Sequence, residues 1–187
     1  VEGFTASNAG TIPDLLAQDA FRTAFACLPA SYAGDKSVRL RLHMASTLAG
    51  IAFSRSGLGP CHAMAHVLGG RFHIPHGRLN AILLPAVISG NAPAAQAKYA
   101  RLARAAGLGG SADTVALRNL KNGLIRLRKD LGLPQTLSQA GAPPAQVWAA
   151  TGEIVEAVLA DPCCKTNPVP VEDYLVRRVL EEVTGHF

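Results

Sequence analysis

Residues 61–77 read CHAMAHVLGGRFHIPHG, and four of the six histidines of the chain fall between positions 62 and 76 of this segment. His62 and His66 are four residues apart, a spacing that places two imidazoles on the same face of a helix. His76 follows just beyond an expected turn at 73–75, where the chain can fold back toward that face. Neutral imidazole is a favoured ligand for zinc and iron. The segment therefore predicts two helices joined by a turn, with a metal site between them.

The density of histidines carries this prediction, because a single histidine in a helix is more often an ordinary polar residue than a ligand. Small residues flank the cluster and let the backbone and a ligand approach closely: Ala63, Ala65, Gly69, Gly70 and Gly77. His73 lies in the expected turn and is a poor candidate. His43 and His186 lie outside the cluster.

Two other metal-dependent classes lack the residues that they require. A zinc peptidase with H-x-x-x-H on a helix needs a glutamate after the first histidine as general base, and that position is Ala63. A di-iron bundle needs inward carboxylates with Glu-x-x-His spacing, and no such pair occurs.

Hydrophobic periodicity is helical nearly throughout, and no stretch alternates long enough to predict a strand. The predicted helices cover approximately 13–27, 35–56, 60–70, 77–89, 94–106, 111–130 and 143–159, with a last one around 174–180. We expect Pro29 to stop the first helix, Leu15 to lie on its inner face, and Ser111 to cap the sixth. Seven or eight helices with short connections predict an all-α bundle that forms one domain over 1–187.

Composition favours a globular protein, with 49% hydrophobic and 17% charged residues in 187. The net charge is +5, but the one basic cluster, 118–129, alternates with a leucine stripe and is expected to be the solvated face of a helix. Aromatic content of 5% also argues against a nucleic-acid partner. No apolar run approaches the ~20 residues of a membrane span.

The four cysteines show no C-x-x-C spacing, which favours a reduced, cytoplasmic setting. Cys61, beside His62, is expected to pack as a small hydrophobe. The first residue is Val1, not Met, so we expect residues to precede it in the parent protein.

The signature segment and its neighbours resemble the iron-containing (type III) alcohol dehydrogenase family. The resemblance is carried by AGIAFS at 49–54, GLG at 57–59, HAMAH at 62–66, PHG at 75–77 and NAILLP at 80–85. It extends to the opening helices around 1–17 and to Asn167-Pro168 near the end, so it covers essentially the whole chain. The sequence departs from the common pattern at two positions. Val67 stands where many relatives have proline, and Val169 stands after Asn167-Pro168, where many relatives have arginine.

The resemblance implies a function and a set of site residues. The family holds Fe²⁺, or in some members Zn²⁺, with one aspartate and three histidines, and two of those histidines map onto His62 and His76. It places His66 near the nicotinamide of NAD or NADP instead of on the metal, which amends the spacing argument. The other two ligands belong to a D-x-x-x-H segment expected just before Val1.

The resemblance further implies that the chain is the helical, metal-binding half of an enzyme that interconverts an alcohol and an aldehyde or ketone. No G-x-G-x-x-G follows a strand here, so a missing N-terminal nucleotide-binding domain of the same protein is an expected partner. A homodimer or larger homo-oligomer is also expected. Two alternatives stay open: a zinc enzyme of the glycerol dehydrogenase or dehydroquinate synthase type, and a non-catalytic helical interaction module.

Overall fold

The structure is a computed structural model that describes residues 1–185, so His186 lies outside the described residues. Ten α-helices are present among them: α1 (Glu2–Thr5), α2 (Thr11–Tyr32), α3 (Arg39–Ser56), α4 (Pro60–Phe72), α5 (His76–Ala105), α6 (Asp113–Asp130), α7 (Leu137–Ala140), α8 (Pro144–Ala149), α9 (Thr151–Ala160) and α10 (Asp173–Thr184). Short 3-10 turns cover Lys36–Val38 and Pro162–Thr166. No strand occurs within 1–185, which confirms the all-α prediction.

The long helix α5 connects two hydrophobic cores, and its 30 residues span about 45 Å at 1.5 Å per residue. Its first half packs with α4 and with the C-terminal helices around Leu68, Leu83 and Ile154. Its second half packs with α1, α2 and α6 around Phe4, Tyr99 and Leu120. α2 and α3 form an antiparallel pair on the second core. This arrangement fixes the junction between α4 and α5, where the histidine segment lies.

The continuity of α5 corrects the prediction of two helices separated near position 90. Pro93 lies in the predicted gap and Pro85 lies inside the first of the two predicted helices, yet α5 continues through both. A proline lacks the N–H that would bond to the carbonyl four residues earlier, so Pro85 leaves the carbonyl of Ala81 without its helical donor. Arg128 of α6 donates from Nη1 to that carbonyl at 2.9 Å and to the carbonyl of Ile82 at 3.2 Å. A side chain from a neighbouring helix therefore supplies the hydrogen bond that the proline removes.

Other helix predictions also differ from the structure. α2 continues through Pro29 to Tyr32, and its Leu15 is exposed instead of facing inward. α6 begins at Asp113 without a side-chain cap, so Ser111 does not cap it. The predicted helix over 143–159 is divided into α8 and α9 at Ala150. These errors concern element ends and surface residues, where local sequence preferences are weak.

The basic cluster on α6 is mostly solvated, as predicted, with Arg118 and Arg126 exposed. Arg128 is the exception, because it is buried and bonds to α5. α3 leaves Leu40, Met44 and Ile51 exposed, although their spacing is that of a buried stripe. None of the described helices combines the length and the apolar character needed to cross a membrane.

Candidate metal centre

The histidine segment forms the end of α4, a three-residue turn and the start of α5. Gly59 precedes the first residue of α4, Pro60, which suits the helix start because its missing N–H has no helical partner there. His62 and His66 lie one turn apart on α4. His73 ends the helix in the left-handed region at φ 54°, the only described non-glycine residue with positive φ. The chain reverses there, so that His76 opens α5 beside α4.

Three imidazole rings meet at this junction. The ring centroids of His62 and His76 are 5.4 Å apart, those of His66 and His76 are 5.3 Å apart, and those of His62 and His66 are 6.5 Å apart. With metal–nitrogen bonds of about 2.1 Å, two imidazoles on one ion have centroids roughly 5 Å apart. The distances from His76 to His62 and to His66 are compatible with a shared metal ion, whereas the 6.5 Å between His62 and His66 is too long for both to bind the same ion. His43, on α3, is not part of this cluster.

His62 is held by the buried carboxylate of Glu2 in α1. Its ring Nδ1 lies 2.5 Å from Oε2 of Glu2. The same carboxylate accepts the backbone N–H of Cys61 at 2.8 Å and that of His62 at 3.3 Å. Glu2 is 5% exposed, and His62 is its only ion-pair partner among the described residues. A hydrogen bond at Nδ1 leaves Nε2 as the nitrogen that can bind a metal.

His66 has its own carboxylate partner in Asp161, which follows α9. Nδ1 of His66 lies 2.9 Å from Oδ2 of Asp161, and the N–H of Cys163 donates to Oδ1 at 2.8 Å. Burial acts to raise the pKa of Asp161, but the hydrogen bonds from His66 and Cys163 outweigh it, so the pKa lies below the ordinary aspartate value. Asp161 therefore stays ionised and fixes the orientation of an exposed imidazole.

His76 contacts Asn80 one turn further along α5, with Nδ2 of Asn80 3.2 Å from each ring nitrogen. Partial burial lowers the pKa of His76 below the ordinary histidine value, and charge repulsion from His62 and His66 lowers it further. The neutral form that results is the one able to bind a metal ion.

The cysteines near the cluster are protonated at neutral pH. Burial raises the pKa of Cys61 well above its ordinary value, and the charge of Glu2 raises it further. Burial, with the hydrogen bond and charge of Asp161, raises the pKa of Cys163 to about 12. Because the thiolate is the reactive form of cysteine, these raised pKa values argue against Cys61 or Cys163 as a nucleophile.

A second set of possible ligands shares His66 with the histidine cluster. One donor atom from each of His66, Asp161 and Cys163 lies within 4.8 Å of the other two. In this set, however, the imidazole nitrogen and the carboxylate already share a hydrogen bond, and the thiol retains its proton. Metal binding there would have to remove the thiol proton and either break that hydrogen bond or use the other ring nitrogen of His66.

A cavity of about 420 Å³ lies beside the cluster, between α1, α2 and α3. Most of its wall is apolar and formed by small side chains, including Ala17, Ala20, Ala49 and Ala52. Phe53 and His62 also line it. A volume of this size and character suits a small organic molecule with one end near an imidazole.

Sequence reasoning missed the two carboxylates of the site. Glu2 lies 60 positions from His62, and Asp161 lies 95 positions from His66. No spacing rule connects residues so far apart. One signal was present for Asp161, because an aspartate before Pro162 commonly opens a turn and exposes its carboxylate.

Comparison with known proteins identifies the family. Residues 1–184 match the family described as "Fe-containing alcohol dehydrogenase family, C-terminal". The chain is 40% identical over 190 residues to the 1-propanol dehydrogenase of Citrobacter freundii, covering 98% of the chain and 51% of that protein. It is 35% identical to the NADPH-dependent butanol dehydrogenase of Clostridium saccharobutylicum, covering 97% of the chain and 47% of that protein.

Solved structures show the same fold. A 1,3-propanediol oxidoreductase superposes with a TM-score of 0.90 at 30% identity, over 96% of this chain and 47% of that one. An iron-containing alcohol dehydrogenase from Thermococcus thioreducens superposes with a TM-score of 0.87 at 32% identity, over 97% of this chain and 46% of that one. The chain spans about half the length of these relatives. The resemblance seen in the sequence is confirmed, and the chain belongs to the Fe-containing alcohol dehydrogenase family, of which it represents the C-terminal part.

Proposed function

We propose that this chain is the metal-binding half of an NAD(P)-dependent alcohol dehydrogenase that interconverts an alcohol and an aldehyde or ketone. The observation that carries the proposal is the approach of His62 and His76 to 5.4 Å between ring centroids, in a chain whose family is established. The named dehydrogenases among its relatives support the reaction class.

His62 and His76 would hold the metal ion, Fe²⁺ or Zn²⁺. The donors fit such an ion, because both rings are imidazoles at the surface of the bundle and Glu2 leaves the Nε2 of His62 available. The ion supplies Lewis acidity toward the substrate oxygen. The remaining ligands would come from residues that precede Val1 in the parent protein.

His66 would move the proton of the reaction and lie close to the nicotinamide. Its exposed ring stacks on His76 at an interplanar angle of 16°, while Asp161 holds Nδ1 and leaves Nε2 available for proton transfer. Imidazole is the side chain most often used for proton transfer in enzymes, and a carboxylate partner keeps the His66 ring in one orientation.

The cavity beside His62 would receive the hydrocarbon part of the substrate. Its small alanines and Phe53 offer apolar contacts, and His62 at its edge would place the polar end of the substrate near the metal. This favours small, largely apolar alcohols and aldehydes as substrates.

The parent protein would add a nucleotide-binding domain N-terminal to this chain, since the chain spans about half of its relatives. The nicotinamide cofactor would bind mainly to that domain and meet His66 at the face that carries the histidines. We also propose a cytoplasmic location and assembly into a homodimer or larger homo-oligomer.

The test is turnover by the full-length protein loaded with Fe²⁺ under anaerobic conditions, followed through NAD(P)H absorbance with short aliphatic aldehydes. We expect His62→Ala and His76→Ala to lower kcat/KM by about a hundredfold or more, as expected for loss of a ligand. His43→Ala and His73→Asn serve as matched controls, the second because asparagine tolerates the left-handed backbone of His73. Unchanged kcat/KM in both ligand variants would contradict the proposal.

A further inference from the structure

We infer that Glu2 is a positioning residue that fixes the tautomer and the direction of the His62 ring, and so sets the affinity of the site for its metal. This inference rests on the proposed function, in which His62 is a ligand. It concerns a residue that does not touch the metal and that acts through His62.

Glu2 accepts hydrogen bonds at both carboxylate oxygens. One carboxylate oxygen takes the N–H of Cys61, and the other lies 2.5 Å from Nδ1 of His62. Each oxygen also accepts a backbone N–H, from Cys61 and from His62, so the carboxylate acts as an acceptor at both oxygens and we assign the proton of the ring contact to Nδ1. Its Nε2 is then unprotonated and free for a metal ion.

The carboxylate of Glu2 is buried. Glu2 is 5% exposed, yet within residues 1–185 no lysine or arginine pairs with it. An ionised group in such a place needs compensation from hydrogen bonds and nearby positive charge. The first N–H groups of α4 supply part of it, and the metal ion held by His62 would supply the rest. The carboxylate and the metal thus stabilise each other across one imidazole.

Gly59 leaves the space that the carboxylate of Glu2 occupies. A Cβ added at Gly59 would lie 2.5 Å from Oε1 of Glu2 and 3.1 Å from Oδ1 of Asn167. The backbone at Gly59 is extended, with φ −161°, a conformation that any residue can adopt. A larger residue is therefore disfavoured there only by the neighbouring side chains. A methyl group at this position would displace the carboxylate without removing its charge.

Two substitutions therefore separate the position of the carboxylate from its charge. Glu2→Gln replaces one carboxylate oxygen by an NH₂ group, which must face either the N–H of Cys61 or the ring of His62. If it faces Cys61, two donors oppose each other. If it faces His62, Nδ1 must become the acceptor and the ring proton moves to Nε2, the nitrogen that would bind the metal. Gly59→Ala keeps the charge and moves the carboxylate. Gly10→Ala is the matched control, because Gly10 also precedes a helix in extended backbone and a Cβ there meets nothing within 4 Å.

The experiment measures the dissociation constant for Zn²⁺ by chelator competition in the full-length protein, together with the melting temperature of the metal-free forms. We expect Glu2→Gln and Gly59→Ala to weaken Zn²⁺ binding by about 10- to 100-fold, the range measured for such partners of metal-bound histidines. Gly10→Ala should bind Zn²⁺ like the wild type. In a His62→Ala background, Gly59→Ala should have no further effect, since the residue acts through His62.

The outcomes distinguish this inference from the proposed function. If His62→Ala weakens Zn²⁺ binding but Gly59→Ala and Glu2→Gln do not, the role of Glu2 is overturned while the ligand assignment stands. If Gly59→Ala weakens binding equally with and without His62, Glu2 acts on the fold in general and the inference is overturned. If His62→Ala binds Zn²⁺ like the wild type, both the inference and the proposed site are overturned.

Discussion

Replacing Arg128 by methionine tests how α5 accommodates a proline in its interior. Arg128 is the side-chain donor to the carbonyl of Ala81, which Pro85 deprives of its helical partner, and it also bonds to Gln135 at 3.0 Å. Arg128→Met keeps most of the aliphatic volume and removes the guanidinium. The helix should then open more easily around residues 81–86.

The expected magnitude follows from these contacts. A buried carbonyl left unpaired costs about 1–3 kcal/mol, and hydrogen bonds from a charged donor contribute about 1.5–3 kcal/mol each. The carbonyl of Ile82 can still accept from the amide four residues later, and removing a buried guanidinium recovers part of its desolvation cost. We therefore expect a loss of about 3 kcal/mol in local opening free energy, or roughly a hundredfold faster exchange.

Hydrogen exchange followed by mass spectrometry on peptides of α5 measures this opening in the full-length protein without assuming two-state unfolding. Arg126→Met, an exposed position on the same helix, is the matched control and should leave exchange unchanged. Pro85→Ala restores an N–H for Ala81, so Arg128→Met should cost at least about 1 kcal/mol less in that background. Equal losses with and without Pro85, or no loss at all, would refute this account of the helix.

Three further predictions concern groups near the site. Because burial raises the pKa of Cys163 to about 12 and that of Cys164 to about 11, alkylation by iodoacetamide at pH 8 should be far slower than in the denatured protein, and comparable rates would contradict those values. The side chains of Asn91 and Asn167 form two reciprocal buried hydrogen bonds of 2.7 Å. Asn91→Ala and Asn167→Ala should each lower the free energy of unfolding by about 2–3 kcal/mol, and the double variant should lower it by less than the sum, whereas additive losses would exclude the pairing. Because the pKa of Asp161 is lowered in the folded protein, its ionised carboxylate stabilises the fold above the ordinary aspartate range, and this contribution falls as the pH drops through the lowered pKa. Asp161→Asn should therefore reduce the melting temperature more at pH 7 than at pH 3, and an equal reduction at both would contradict this.

The sequence predicted the part of the site that depends on local geometry. His62 and His66 could be placed on one face because four residues make about one helical turn, and His76 could be placed nearby because a turn precedes it. The all-α fold followed from a period that repeats over most of the chain. These features depend on neighbours within about twenty positions, which a single sequence displays directly.

The parts that sequence reasoning missed depend on contacts between distant segments. The gap predicted between helices at 90–93 does not occur, and the Pro85 within the same continuous helix is accommodated by a tertiary hydrogen bond from Arg128. Glu2 and Asp161 become partners of histidines only once α1 and α9 have packed beside α4. Leu40 has the spacing of a core residue and is nevertheless exposed, because burial is decided by the neighbouring elements and not by the helix alone.

Anomalous X-ray diffraction at the iron absorption edge, from crystals of the full-length protein loaded with Fe²⁺, tests the central claim most directly. We expect one iron peak within bonding distance, about 2.1 Å, of Nε2 of both His62 and His76, with Nδ1 of His62 still bonded to Glu2. An iron peak at His66, Asp161 and Cys163, or anywhere that neither His62 nor His76 reaches, would contradict it.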